Sequence, residues 1–355
     1  MAALALPHPT PADRIAHYPR VRFMGSKHRL APRLAELFAA LPPGPAVDAF
    51  SGSGVVSYAL KATGREVLAN DHLHFAAAMS RALVANDDVV LGPDDVALLL
   101  SPSRDGRDFI QRTFDGLYFP ASDHAFLDSA WSHLETMDAT RRALAITALC
   151  LAAARKQPRG VFTVTTLRYD DGRRQLRMSL RDLFCEAVED VNRAVFAGPP
   201  ARSVCGDVFD LDPAGVALAY LDPPYAPPRD DTCYIKRYHF LEGLATYWRG
   251  QEIMWGTRSR KLVKRHTPFA SKRTVRDALD RTFEHFRDAA LVVSYGSNAA
   301  LGIDELEALL RRHAPWVRRL EIPHTYAFGT HRQARRRAAT EYVLVGCRSA
   351  PAGLA

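Results

Sequence analysis

With 355 residues and 47% hydrophobic content, the chain can bury a sizeable core, which excludes a disordered polypeptide and predicts one large domain or a core carrying an inserted lobe. Lys and Arg number 47 against 39 Asp and Glu, a formal net charge of +8 that favours a polyanionic partner. No stretch reaches the roughly 18 consecutive apolar residues of a membrane span, and the five scattered cysteines and thirteen histidines lack metal-ligand spacing, so a soluble cytoplasmic protein without a bound metal is expected.

The Ala- and Pro-rich start, Met1 to Pro11, lacks the pattern of a signal peptide and reads as a loose tail, taken to residue 19. Leu30, Leu34, Leu37, Phe38 and Leu41 recur at helical spacing, and Pro42, Pro43 and Gly44 stop that helix. A strand over Ala46–Phe50, a helix from Val55, a strand over Glu66–Ala69 and a helix over His74–Asn86 follow. This alternation predicts an α/β fold with a covered parallel sheet. It lapses over 87–200, a helix-rich stretch read as an inserted lobe. One hairpin is expected there, from Val161–Thr166 and Arg174–Met178. Strands resume at Arg202–Cys205 and Val216–Leu221. A strand over Ala290–Tyr295, a helix over Asp304–Arg312 and a strand pair near Val317–Ile322 and Glu341–Cys347 close the chain. The core is thus assigned to 20–86 and 201–348.

Two turns carry the chemistry. Asp48-Ala49-Phe50-Ser51-Gly52-Ser53-Gly54 joins a strand to a helix, and its glycines let backbone approach a nucleotide-like ligand closely. Asp71 ends the next strand, where a carboxylate can accept from both hydroxyls of a ribose. Position 57 is Ser rather than a third Gly, which fits a dinucleotide oxidoreductase poorly. The second turn, Asp222-Pro223-Pro224-Tyr225, is stiffened by its paired prolines. Asp222 offers a carboxylate acceptor, Pro223 a carbonyl and Tyr225 a flat face, a set suited to a planar exocyclic amine such as that of adenine. Accepting both amine protons pushes the nitrogen toward a tetrahedral form whose lone pair can attack a methyl donor. Correct placement supplies much of the rate, and a base in a duplex must first be flipped out.

With these residues in hand, the chain resembles the Dam-like class of N(6)-adenine-specific DNA methyltransferases over roughly Phe23 to Gly346. The resemblance implies a Rossmann-like core dependent on S-adenosylmethionine, with an inserted, mostly helical target-recognition lobe. Phe23-Met24-Gly25-Ser26-Lys27 is similar to the family's first cofactor motif, which places Phe23, Gly25 and Lys27 at the donor. Asp48, Phe50, Ser51, Gly52 and Gly54 match the main cofactor loop, and Asp71 the ribose ligand. Asp207 and Val208, within Cys205-Gly206-Asp207-Val208-Phe209, match the segment at the donor's adenine. Asp222 to Tyr225 match the catalytic motif, Tyr238 to Glu242 the helix after it, and Ser294 to Asn298 a later motif lining the base pocket. Arg155 to Phe162 resembles the start of the recognition hairpin, with Thr163 where Asn is usual.

Basic runs mark where duplex DNA is expected to lie. Residues 155–181 hold eight Lys or Arg against two acids, and 258–276 hold eight with no acid. From these, Arg155, Lys156, Arg159, Arg173, Arg174, Arg177, Lys261, Lys264, Arg265, Lys272 and Arg273 are assigned to DNA; a third run spans Arg332–Arg337. The four tryptophans, Trp131, Trp248, Trp255 and Trp316, are read as packing residues. The alternatives are an RNA or protein-glutamine methyltransferase, whose related motif usually begins with Asn, and a DNA-binding module with a degenerate core. The recognised sequence, the oligomeric state and the presence of a cognate restriction endonuclease stay open.

Overall fold

The computed structural model describes residues 9–21, 23–162, 172–224, 234–297, 299–328 and 335–354, with the side chains of 159, 323–328 and 335–339 set apart from the description. In chain order the elements are α1 (Pro11–His17), α2 (Ala31–Ala39), β1 (Ala46–Asp48), α3 (Val55–Ala62), β2 (Val67–Asp71) and α4 (His74–Leu83). Next come α5 (Pro93–Leu99), α6 (Phe109–Thr113), α7 (Ala121–Leu134), α8 (Ala139–Lys156) and α9 (Leu180–Ala194). They are followed by β3 (Ala201–Cys205), β4 (Leu218–Leu221), α10 (Tyr234–Thr246), α11 (Val275–His285), β5 (Ala290–Gly296), α12 (Ile303–Leu310), β6 (Trp316–Phe328) and β7 (Arg335–Cys347).

The strands form one sheet in the order β3-β2-β1-β4-β5-β7-β6. The first five are parallel, while β7 runs antiparallel to both β5 and β6. Every residue of β1, β4 and β5 is buried, as strands covered on both faces must be. Alternate residues point to opposite sides. Ala46, Leu218, Tyr220 and Val292 join the core beneath α2, α3 and α4, whereas Val47, Ala219, Leu221 and Val293 join the core beneath α11 and α12. The α/β core with a covered parallel sheet expected from the sequence is therefore present. The order reverses between β1 and β4, so the loops leaving their neighbouring carboxyl ends open a crevice there, where open α/β sheets bind ligands.

Helices α5 to α9 fill the interval between α4 and β3. Helix α8 is buried around most of its circumference and packs along α4 and α9. Helix α9 instead buries one stripe, Leu180, Leu183, Phe184, Ala187, Val188, Val191 and Ala194, at the spacing of an amphipathic helix. These helices share the core beneath α2 to α4.

Three sequence expectations change. Residues 174–176 form a 3-10 turn rather than the second hairpin strand, and most of the first strand, with the turn at Asp170-Asp171, lies outside the described residues. The tail expected up to residue 19 becomes helix α1 from Pro11. Thr10 and Asp13 form a reciprocal capping box, Pro11 starts the helix, and Ile15 and Tyr18 are buried. Strand β1 ends at Asp48, because Ala49 and Phe50 already turn into the glycine loop.

Candidate active site

A cavity opens at the β1/β4 reversal, and residues from four carboxyl ends of strands line it, among them Asp48, Asp71, Gly206 and Asp222. The loop after β1 needs its glycines. Gly52 and Gly54 adopt φ of +51° and +79°, a left-handed region that side chains disfavour. A Cβ on Gly52 would stand 3.1 Å from the Phe23 ring, and one on Gly54 2.6 Å from the Tyr18 hydroxyl. That hydroxyl donates to the Ser53 carbonyl, so α1 holds the loop from behind.

Asp71 fixes the loop from the front. Its Oδ2 accepts from the Gly52 amide at 2.7 Å and its Oδ1 from the Leu73 amide at 2.9 Å. Burial raises its carboxyl to about 6, against the opposing effect of those amides. Asp48 accepts from the Ser57 hydroxyl at 2.6 Å through Oδ2, while its buried Oδ1 has no partner among the described residues. Burial pushes this carboxyl up to about 7.

The proline turn and the first motif meet at Lys27. Its ammonium lies 2.8 Å from Asp222 Oδ2, 3.1 Å from Glu341 Oε1 and 3.1 Å from the Gly25 carbonyl. Lys27 is only 4% exposed and Glu341 2%. Burial alone would pull the ammonium down, yet the two carboxylates outweigh it and hold its pKa above the ordinary lysine range. Phe23 stacks on Tyr238 of α10 with ring centroids 4.9 Å apart, and the Met24 amide donates to the Tyr238 hydroxyl at 2.7 Å. Pro224 lines the cavity and Pro223 is buried; Tyr225 lies outside the described residues. Glu341 escaped the sequence reading because it lies far along the chain, on β7. It sits opposite Gly296, and antiparallel pairing returns it to the carboxyl end of β5.

An apolar wall completes the cavity. Phe50 meets Phe269 edge to face at 5.0 Å, and Phe209 stacks on Phe269 at 6.1 Å. Val208 and Asp207 line the same space, and Asp207 Oδ1 accepts from the Phe209 amide at 3.0 Å. Phe269 was hidden in a run read only for its charges. Ser294 is buried and accepts from the Tyr220 hydroxyl at 2.8 Å, tying β5 to β4; Asn298, at the end of that motif, lies outside the described residues.

The basic residues divide. Lys156 is buried with its ammonium 2.5 Å from Asp123, a pairing that withdraws it from any phosphate. Arg155 pairs with Asp190 at 2.6 Å, and Arg173 donates to the carbonyls of Arg155 and Gln157. Lys264 and Arg265 line the cavity wall, and Arg265 is held by Glu242 at 3.3 Å and Gln251 at 2.8 Å. Arg174 is exposed beside Glu186, Arg177, Lys272 and Arg273 are exposed, and Lys261 is half-buried. The Arg159 side chain and the run from Arg332 to Arg337 lie outside the side chains described. Of the tryptophans, Trp131 and Trp248 are buried, but Trp255 is 58% exposed, contrary to the packing role expected.

The chain is similar to known methyltransferases. The chain is 28% identical to the Type II methyltransferase M2.HphI of Haemophilus parahaemolyticus over 87% of its own length and 92% of that protein's. It is 23% identical to the Type II methyltransferase M.FokI of Planomicrobium okeanokoites over 86% of the chain, which spans 48% of that relative. No helix among the described residues is long and apolar enough to cross a membrane. Residues 23–272, which take in both cavity-lining turns, match the family profile, and the chain belongs to the D12 class of N6 adenine-specific DNA methyltransferases.

Proposed function

We propose that the cavity binds S-adenosylmethionine and that Asp222, Pro223, Pro224 and Tyr225 hold a flipped adenine against it. The residues present fit such a donor. Asp71 keeps lone pairs for ribose hydroxyls beyond its two amide bonds, and the partnerless Asp48 Oδ1 suits an ammonium group. Phe50, Val208 and Phe269 offer an apolar wall for an adenine ring, with Asp207 at its edge for the ring amine. Ser51, Gly52 and Gly54 admit close backbone approach, while Phe23, Gly25 and Lys27 close the side nearest Asp222.

When bound, this donor supplies an electrophilic methyl group. The protein's share is to hold the amine. Lys27 fixes the Asp222 carboxylate in one orientation, and because Glu341 shares the same ammonium, that corner keeps a net negative charge with which Asp222 can accept from the amine. Fixed geometry of this kind contributes to rate through placement and preorganised charge. Residues 87–200 are assigned to target recognition and the two core segments to catalysis. The Type II names of the relatives support a role as the modification half of a restriction-modification pair, beside a cognate endonuclease.

The observation carrying this reading is that Asp222 and the left-handed glycine loop open into one cavity at the β1/β4 reversal. Two variants of the full chain test it by calorimetry with the donor and by labelled methyl transfer to duplex DNA. Asp222→Ala should lose methylation by at least about 100-fold with donor affinity retained. Gly52→Val should lose donor affinity first. An active Asp222→Ala chain, or tight donor binding by Gly52→Val, refutes the assignment. Expression in a methylation-free host, with modified adenines mapped genome-wide, yields the recognised site.

A further inference from the structure

Between Glu252 and Val263 the chain doubles back in a short turn. Ile253 and Leu262 form an antiparallel bridge, the Met254 amide donates to the Lys261 carbonyl at 2.7 Å, and the Val263 amide donates to the Glu252 carbonyl at 2.9 Å. Three of the large hydrophobic side chains most exposed to water stand together here: Trp255 at 58%, Met254 at 44% and Val263 at 39%. Around them lie Arg258, Arg260, Lys261 and Lys264, with no acidic residue from Met254 to Arg276. Exposed apolar surface of this kind marks an interaction site. A flat ring inside a collar of cations matches a polyanion whose interior is a stack of flat rings.

The turn is tied to the body of the protein near its tip and at its base. The Tyr118 hydroxyl donates to the Ser259 carbonyl at 2.8 Å, and the Tyr118 ring packs edge to face on Phe162 at 5.3 Å. Arg260, held at φ +48°, lays its guanidinium over the Trp255 ring at 5.6 Å. At the base, Arg265 ties Gln251 to the buried Glu242, and Lys264 to Ala270 run directly into the cavity wall. Counting extended residues through the Ile253–Leu262 bridge, Trp255 lies within roughly 15 Å of that wall. This is about four base-pair steps.

We propose that the Met254–Trp255 corner is a wedge that enters duplex DNA beside the target and fills the stack that the extruded adenine vacates, with Arg258, Arg260 and Lys261 gripping the flanking phosphates. Apolar wedges of this kind unstack base steps and make extrusion easier. The inference rests on the reading that adenine leaves the duplex for the cavity described above, and it adds the residue that keeps the duplex open.

The test uses the full chain and duplexes carrying the mapped target adenine, with donor affinity as the measure of folding. Trp255→Ala should slow single-turnover methylation of paired duplex roughly 10- to 100-fold, the range set by one base-aromatic stack, with donor affinity unchanged. The loss should shrink to a few-fold when the target adenine faces an abasic site, where little opposes extrusion. Trp255→Phe keeps a flat ring and should keep most of the rate. Duplex should also quench tryptophan emission of the unaltered chain and quench Trp255→Phe far less, a comparison that holds even where Trp255→Ala fails to fold. Full activity of Trp255→Ala overturns the proposal, as does an equal loss on paired and abasic duplexes. So does a changed sedimentation of Trp255→Ala with methylation intact, which would give the corner to a second copy of the chain. An active Asp222→Ala chain would instead remove the proposed base-holding site while leaving the abasic comparison to stand alone.

Discussion

Asp48 has one oxygen bonded to Ser57 and one buried without a partner, and burial lifts its carboxyl to about 7. A carboxyl whose folded pKa is raised contributes stability that is complete below its unfolded value near 4 and is lost as pH climbs through its folded value. Asp71, raised to about 6, acts in the same direction. The ligand-free chain should therefore lose stability from about pH 4 to about pH 7, each such group contributing a slope of at most roughly 1.4 kcal/mol per pH unit. Lys27 titrates far above this window and leaves the slope alone. Urea unfolding across pH checks this, and Asp48→Asn should give a flatter profile because an amide has no proton to lose. Profiles that coincide would mean Asp48 is already ionised in the folded chain.

Helix α1 illustrates how far an element can matter beyond its size. It is seven residues long, yet Tyr18 at its C-terminal end braces the loop between β1 and α3. Tyr18→Phe removes that brace, at a cost of about 1 kcal/mol for a lost hydrogen bond, and should weaken donor binding while leaving base contacts in place. Denaturant unfolding and donor calorimetry on the same variant check both effects; unchanged donor affinity would make α1 a packing element only. The capping residues Thr10 and Asp13 were readable, but the surrounding alanines and prolines obscured them. The core strands were legible because an apolar run bounded by turn residues has few other uses, and their motifs fall at strand ends, where crevices form. The partners of the cations were not. Lys156 and Arg265 look like any others in a basic run, and only the packing of α8 against the 120s and of 265 against α10 reveals their carboxylates. Glu341 was beyond reach for the same reason, since pairing across more than three hundred residues leaves no local pattern.

Across the whole molecule, internal pairing reduces the number of cations left to meet a duplex well below what a net charge of +8 and three basic runs suggest. If Arg258, Arg260 and Lys261 of the proposed wedge and exposed Lys272 and Arg273 each neutralise one phosphate, duplex affinity should fall roughly 500-fold between about 50 and 200 mM salt. A Lys272→Ala, Arg273→Ala double variant should reduce that fall to roughly 40-fold, as anisotropy titrations at several salt concentrations would show; an unaltered slope would put the phosphate contacts elsewhere. The sheet order carries a further consequence. Edge strand β6 is hydrogen-bonded to the sheet only through β7, which is synthesised after it and slots in between β6 and β5. A nascent polypeptide still on the ribosome at residue 330 thus has neither a seat for β6 nor the second counter-charge for Lys27. A chain truncated after residue 330 should therefore fail to methylate DNA, and labelled methyl transfer by that truncation checks it.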